Sequence, residues 1–108
     1  MKTLAIILLI AFTFAFNSPA LAEDTVNGAK IFSVQCAGCH DNGGNIVRRG
    51  KTLKLKALKR NQMDSQDAIA TLVTNGKNNM SAYKDRLTAQ EIQDVAAYVL
   101  EQAEQGWR

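Results

Sequence analysis

Cys36-Ala37-Gly38-Cys39-His40 sets two thiols three residues apart, with an imidazole directly after the second. Two thiols at that spacing can reach the two vinyl groups along one edge of a haem. The adjacent imidazole then falls beneath the iron as proximal ligand. Three other chemistries fit the motif poorly. A structural zinc site wants four nitrogen or sulfur ligands, and the chain has two cysteines and one histidine. A thioredoxin-like redox pair wants a βαβ setting, of which the sequence has no sign. A disulfide across the motif would close a very short loop and add little stability. The expected cofactor is therefore one haem c, held through two thioethers at Cys36 and Cys39.

His40 is the only histidine, so ligation by two histidines of one chain is impossible. The sixth position is then left to Met, Lys, Asn, a water or nothing, and apart from Met1 the thioethers able to take it are Met63 and Met80. Met80 follows the polar turn Asn75-Gly76-Lys77-Asn78-Asn79, and a ligand on a loop can fold over a haem face. Met63 precedes a helix start and reads equally as core filler. The spacing favours Met80 and leaves Met63 open. A haem enzyme such as a peroxidase would need an open sixth site and a distal acid or base. The one histidine is already committed, which weakens that reading.

The elements that must position these groups are few, because the chain has 108 residues and room for one domain. Its first 22 residues read as a secretory signal. Lys2 is the positive start, Leu4 to Phe16 is apolar but for Thr13, and Ala20-Leu21-Ala22 is an A-x-A cleavage site. That 13-residue stretch falls short of the ~20 apolar residues that a membrane helix needs. Cleavage after Ala22 leaves Glu23–Arg108, 86 residues, as an exported domain. A chain that short is marginal on an apolar core alone, and a buried cofactor would supply the missing apolar volume.

Four helical segments can be read and no convincing strand. The first runs from about Thr25 to Gln35, capped by Asp24 or Thr25. Its Gly28 would let it cross the last helix closely, near Ala97 and Tyr98. The second, Leu53 to Asn61, is ambiguous, since Thr52 to Ala57 alternates like a strand while Leu55 and Leu58 fit a helix. The third starts at Ser65 and ends at about Asn75, with Gly76 past its end. The fourth opens on the capping box Thr88-Ala89-Gln90-Glu91 and continues with Ile92, Val95, Ala96, Val99, Leu100 and Ala103 on one face. Gly106 ends it. Asp41 to Gly50 reads as a loop, and Trp107 as a packing residue.

Across the mature region the sequence resembles cytochrome c6, the soluble class I c-type cytochromes of cyanobacteria and algal chloroplasts. The resemblance rests on Asn27 to Phe32, Cys36 to His40, Gly43-Gly44-Asn45, Lys51-Thr52-Leu53, Asn75-Gly76-Lys77, Met80, Arg86-Leu87-Thr88 and Ile92 to Val99. It implies an all-α, single-domain class I cytochrome c fold of about four helices wrapped around one covalently bound haem. It implies Cys36 and Cys39 as attachment points, His40 as proximal ligand and Met80 as distal ligand. It further implies a monomeric one-electron carrier rather than an enzyme. Its partners would be cytochrome f of the cytochrome b6f complex, photosystem I and, in cyanobacteria, a terminal oxidase. The location implied is the thylakoid lumen or periplasm.

Two departures stand out. Ser81 replaces the usual proline after the ligand methionine, and Leu72 stands where the family commonly has a glutamine near the haem. The second departure resembles the low-potential c6B and c6C groups, because losing a polar neighbour changes the tuning of the iron.

Charge is unevenly placed. Arg48, Arg49, Lys51, Lys54, Lys56, Lys59 and Arg60 are seven bases in thirteen residues with no acid among them, while the acids gather from Asp64 to Glu104. The run reads either as a solvated face or as steering toward an acidic partner. Nucleic acid is a poor fit for a small exported chain. Arg86 is the arginine that the resemblance places beside the docking patch.

Overall fold

The computed structural model describes residues 23–108. The signal segment read over residues 1–22 lies outside them. The domain is all-α: α1 (Thr25–Gln35), the single turn α2 (Ala37–His40), α3 (Leu55–Arg60), α4 (Gln66–Asn75) and α5 (Ala89–Gln105). The segment read as a plain loop after His40 contains two 3-10 turns, Asp41–Gly43 and Arg49–Lys51. The ambiguous stretch after Thr52 settles as the short helix α3. Its Leu58 packs into the core, and among the described residues the only β-type pairing is the isolated Lys77–Met80 bridge.

Each long helix starts where a side chain can accept from its unpaired N–H groups. Asp24 accepts from the Asn27 N–H at 3.0 Å, and Ser65 accepts from the Ala68 N–H at 3.1 Å. At α5 the Thr88 hydroxyl accepts from the Glu91 N–H and the Glu91 carboxylate accepts from the Thr88 N–H, the complete capping box. Gly106 ends α5 in the left-handed region at φ 73°, a conformation glycine adopts without a Cβ penalty.

The core is one cluster. α5 contributes Ile92, Val95, Ala96, Val99 and Ala103, α1 contributes Ile31 and Phe32, and α4 contributes Ile69, Ala70 and Val73. α1 and α5 meet almost backbone to backbone. A Cβ on Gly28 would lie 2.8 Å from the Tyr98 Cβ and would collide with the Asp94 carbonyl. The close approach expected from Gly28 is therefore present, with Asp94 and Tyr98 at its centre rather than Ala97.

Asp94 is 2 % exposed and carries the same junction. Its carboxylate accepts from the Asp24 N–H at 2.9 Å, the Asn27 amide at 3.0 Å and the Gln90 amide at 2.7 Å. Burial alone pushes this carboxyl up. The three donors outweigh that and hold it below the ordinary aspartate value.

Gly28→Ala should destabilise the protein. Alanine gains about 1 kcal/mol of helix propensity over glycine. The new methyl meets backbone that has nowhere to go, and such overpacking costs about 1–3 kcal/mol. Urea unfolding of the haem-loaded protein should show the lower midpoint. Asp94 gives a pH prediction. A depressed native pKa stabilises the fold above the unfolded value of about 3.9. That stabilisation fades as pH falls through 3.9 and is gone below the native pKa. Asp94→Asn should lower the melting temperature at neutral pH and flatten its fall between neutral pH and the acid range.

Candidate haem site

α1 delivers the motif. Its last N–H bond runs from Cys36 to the Phe32 carbonyl at 2.9 Å, and the chain then turns once more. The N–H groups of Cys39 and His40 both donate to the Cys36 carbonyl, at 3.1 and 2.9 Å. This single turn gathers both thiols and the imidazole. It is too short for hydrophobic periodicity to reveal, so the spacing of the motif was its only signal. Cys36 is half-buried and Cys39 exposed, and no disulfide joins them. Burial pushes the Cys36 thiol up to about 11, so in its free state this sulfur is a thiol rather than a thiolate at neutral pH.

His40 is half-buried, and its Nδ1 lies 2.8 Å from the Gly44 carbonyl. A carbonyl oxygen can only accept, so the partner assigns the proton to Nδ1. The lone pair then sits on Nε2, which is the tautomer an iron-binding histidine needs.

The chain after His40 is pinned from three directions. Gly43 is buried and left-handed at φ 77°, and a Cβ there would enter the Trp107 indole. The Gly43 carbonyl accepts from the Leu53 N–H at 2.7 Å. The Leu53 carbonyl in turn accepts from the Trp107 Nε1–H at 2.9 Å. Trp107 also packs tilted against Phe32 at 5.2 Å and edge-to-face against Tyr98 at 6.1 Å between ring centroids. It is a packing residue, as its composition suggests, and it is also a hydrogen-bonding latch. Asn45 closes the loop from within. Its carbonyl oxygen accepts from the N–H groups of Val47 and Arg48, at 2.9 and 2.8 Å. Its amide donates to the Lys51 carbonyl at 3.0 Å.

Met80 sits half-buried at the end of a tight turn, where Lys77 and Met80 exchange backbone hydrogen bonds of 3.0 and 2.9 Å. The turn folds back on Gly76, whose absent side chain leaves room for the backbone of Met80 to Ala82. Tyr83 then ties three pieces together. Its N–H donates to the Val73 carbonyl of α4 at 2.9 Å. Its hydroxyl donates to the Gln35 carbonyl, one residue before the motif, at 3.0 Å. The Arg86 guanidinium lies over its ring at 5.1 Å, a cation–π contact. The sequence reading named Arg86 and overlooked Tyr83, although an aromatic residue close to a candidate ligand loop is a readable signal. Met63 lies elsewhere, lining an apolar cleft of about 360 Å³ with Ala68, Thr71, Leu72 and Gly76 among its walls.

A covalently held haem fits this set. Two thiols share one turn, the imidazole presents Nε2, and half-buried Leu53, Met63, Met80 and Leu87 ring a core too small to cover them. No cluster of three or more metal-ligating His, Cys, Asp or Glu exists among the described residues. Nor is any helix there long and apolar enough to cross a membrane.

Comparison with known proteins gives the same picture. The family profile described as cytochrome c oxidase, cbb3-type, subunit III matches residues 23–99. A "Cytochrome c6-like" protein of Nostoc sp. is 66% identical, over 94% of this chain and 95% of its own length. A "Cytochrome c6" of the same organism is 58% identical, over 90% and 87%. Among solved structures, cytochrome c6C from Synechococcus sp. PCC 7002 is 59% identical with a TM-score of 0.72, covering 73% of this chain and 96% of that one. Cytochrome c6B from Synechococcus sp. WH8102 is 50% identical with a TM-score of 0.75, covering 80% and 98%. With its motif, its fold and relatives spanning nearly the whole chain, this protein belongs to the cytochrome c6 family of c-type cytochromes, electron carriers rather than enzymes.

Proposed function

We propose that this protein shuttles one electron at a time from cytochrome f of the cytochrome b6f complex to photosystem I or a terminal oxidase. One haem c would serve it, held by thioethers from Cys36 and Cys39, with His40 and Met80 as axial ligands. The observation that carries this reading is the single turn that gathers both thiols beside an imidazole whose Nε2 is free. The haem supplies the one-electron couple. The protein's part is to hold it and to set its potential.

His40 donates Nδ1–H to a neutral carbonyl, which fixes the ring without making it strongly anionic. Met80 offers a neutral thioether, which favours the reduced iron over harder ligands. His40 and Met80 would both hold the iron, so the haem would serve electron transfer rather than substrate binding. Secretion of Glu23–Arg108 into the lumen or periplasm, after cleavage behind Ala22, completes the proposal. The reading agrees with Asp24, whose N–H is bonded to Asp94 two residues after the expected cleavage site.

Leu72 favours a second version of this function. It lines the apolar cleft, at the position where the resemblance expects a glutamine. An apolar side chain offers the iron's surroundings no hydrogen bond. On that ground the protein is a low-potential c6-like carrier serving a different partner. The similarity to proteins named cytochrome c6-like, c6C and c6B agrees with this version.

Two variants test the assignments. Met80→Ala should abolish the near-infrared charge-transfer band of methionine-ligated ferric haem, and Met63→Ala should leave it. The reverse pattern would transfer the ligand role to Met63. Leu72→Gln should raise the midpoint potential in a redox titration of the haem-loaded protein. An unmoved midpoint would mean that residue 72 does not tune the iron.

A further inference from the structure

Met80 lies in the chain between α4 and α5, residues 76–88, a stretch of 13 residues without a helix. Its hydrogen bonds run mostly to itself or back to α4. Lys77 and Met80 bond each other, and the N–H groups of Tyr83 and Lys84 donate to the Val73 and Thr74 carbonyls at 2.9 and 3.3 Å. The N–H groups of Arg86 and Leu87 both donate to the Tyr83 carbonyl at 2.9 Å. One bond differs from these. The Tyr83 hydroxyl donates to the Gln35 carbonyl at 3.0 Å. Among the described residues it is the only hydrogen bond that joins residues 76–88 to any part of the chain before α4.

Both ends of that bond are placed for a purpose. Gln35 is the last residue of α1, and a helix leaves its last four carbonyls unpaired within itself. Cys36, the first thiol of the motif, follows directly, while Met80 stands three positions before Tyr83. A single side chain thus ties the loop of one candidate ligand to the point where the motif begins. The Arg86 guanidinium, 5.1 Å from the Tyr83 ring centroid, steadies the phenol that makes the tie. The loop has reason to need it. Ser81 directly follows Met80, so no proline ring restricts the backbone there.

We propose that Tyr83 is a positioning residue for the axial methionine, its hydroxyl clasping the Met80 loop to the end of α1 so that the thioether resists displacement from the iron. This role rests on the assignment of Met80 as axial ligand and adds what keeps it in place. A competing ligand reaches the iron only in the fraction of molecules whose loop has swung away, and its apparent affinity scales with that fraction. The hydroxyl lowers the fraction without touching the iron.

The test uses the haem-loaded mature protein. The ferric wild type is first checked for the near-infrared charge-transfer band of methionine ligation. Absence of the band, or its loss in Met63→Ala but not in Met80→Ala, would sink the ligand assignment before Tyr83 is altered. Imidazole, which competes with methionine for ferric iron, is then titrated in. Tyr83→Phe keeps the ring beside Arg86 and removes only the hydroxyl. It should bind imidazole about fivefold more tightly than wild type, the weight of one net hydrogen bond, and should still show the band when imidazole is absent. Equal affinities would overturn the proposal. Ser65→Ala separates positioning from general stability, since it removes the N-cap of α4 and makes no contact with the loop. Its urea midpoint should fall while its imidazole affinity stays at the wild-type value. An affinity that rises as much in Ser65→Ala as in Tyr83→Phe would track overall stability and overturn the clasp. A Tyr83→Phe chain that takes up no haem would make the hydroxyl a folding contact, which overturns it as well.

Discussion

The approach of α1 to α5 at Gly28 is the constraint on which the remaining geometry depends. Helix axes normally stand 8–10 Å apart, held off by the side chains between them. Here the smallest residue faces the Asp94 carbonyl and the Tyr98 Cβ, so the two helices lie as close as their backbones allow. That contact fixes the line of α1, and α1 ends where the thiols begin. It also brings Phe32 within 5.4 Å of Tyr98 and 5.2 Å of Trp107. The motif turn, the loop after it and the C-terminus are therefore referred to one junction. Asp94 reinforces it with hydrogen bonds instead of an ion pair, which spares the junction the cost of desolvating a second charge.

Much of this was legible in the residues. The capping box at Thr88, the caps at Asp24 and Ser65 and the glycines at 76 and 106 mark helix ends by local rules, and local rules survive folding. The single turn at Cys36 to His40 was marked only by the spacing of its motif. Gly28 was legible because a glycine inside a helix is costly without a packing reason. Of its two expected neighbours Tyr98 lies at the contact, while Asp94, one turn earlier, takes the place of Ala97. Nothing local says that a backbone carbonyl will be the neighbour.

The parts that were not legible are those made by distant pairing. Trp107 reaches the Leu53 carbonyl across 54 positions, and Tyr83 reaches Gln35 across 48. Asp94 carries no mark in sequence that it will be buried, because two of its three donors, Asp24 and Asn27, lie about 70 positions away. The alternation around Leu55 could not choose between strand and helix until a core existed for Leu58 to enter. The choice of Met80 over Met63 came from loop composition and family resemblance. The two residues do occupy different surroundings, one in a tight turn and one in a cleft wall.

The Trp107 latch also imposes an order on assembly. Its donor lies 54 positions beyond the carbonyl it bonds, and the loop it locks directly follows the thiol pair. A chain made from its N-terminus has Cys36 and Cys39 in place well before residue 107 exists. Until then the loop over the motif is held only by its own short-range hydrogen bonds. The thiols are thus most reachable while Trp107 is undocked, and its docking fastens the loop beside them.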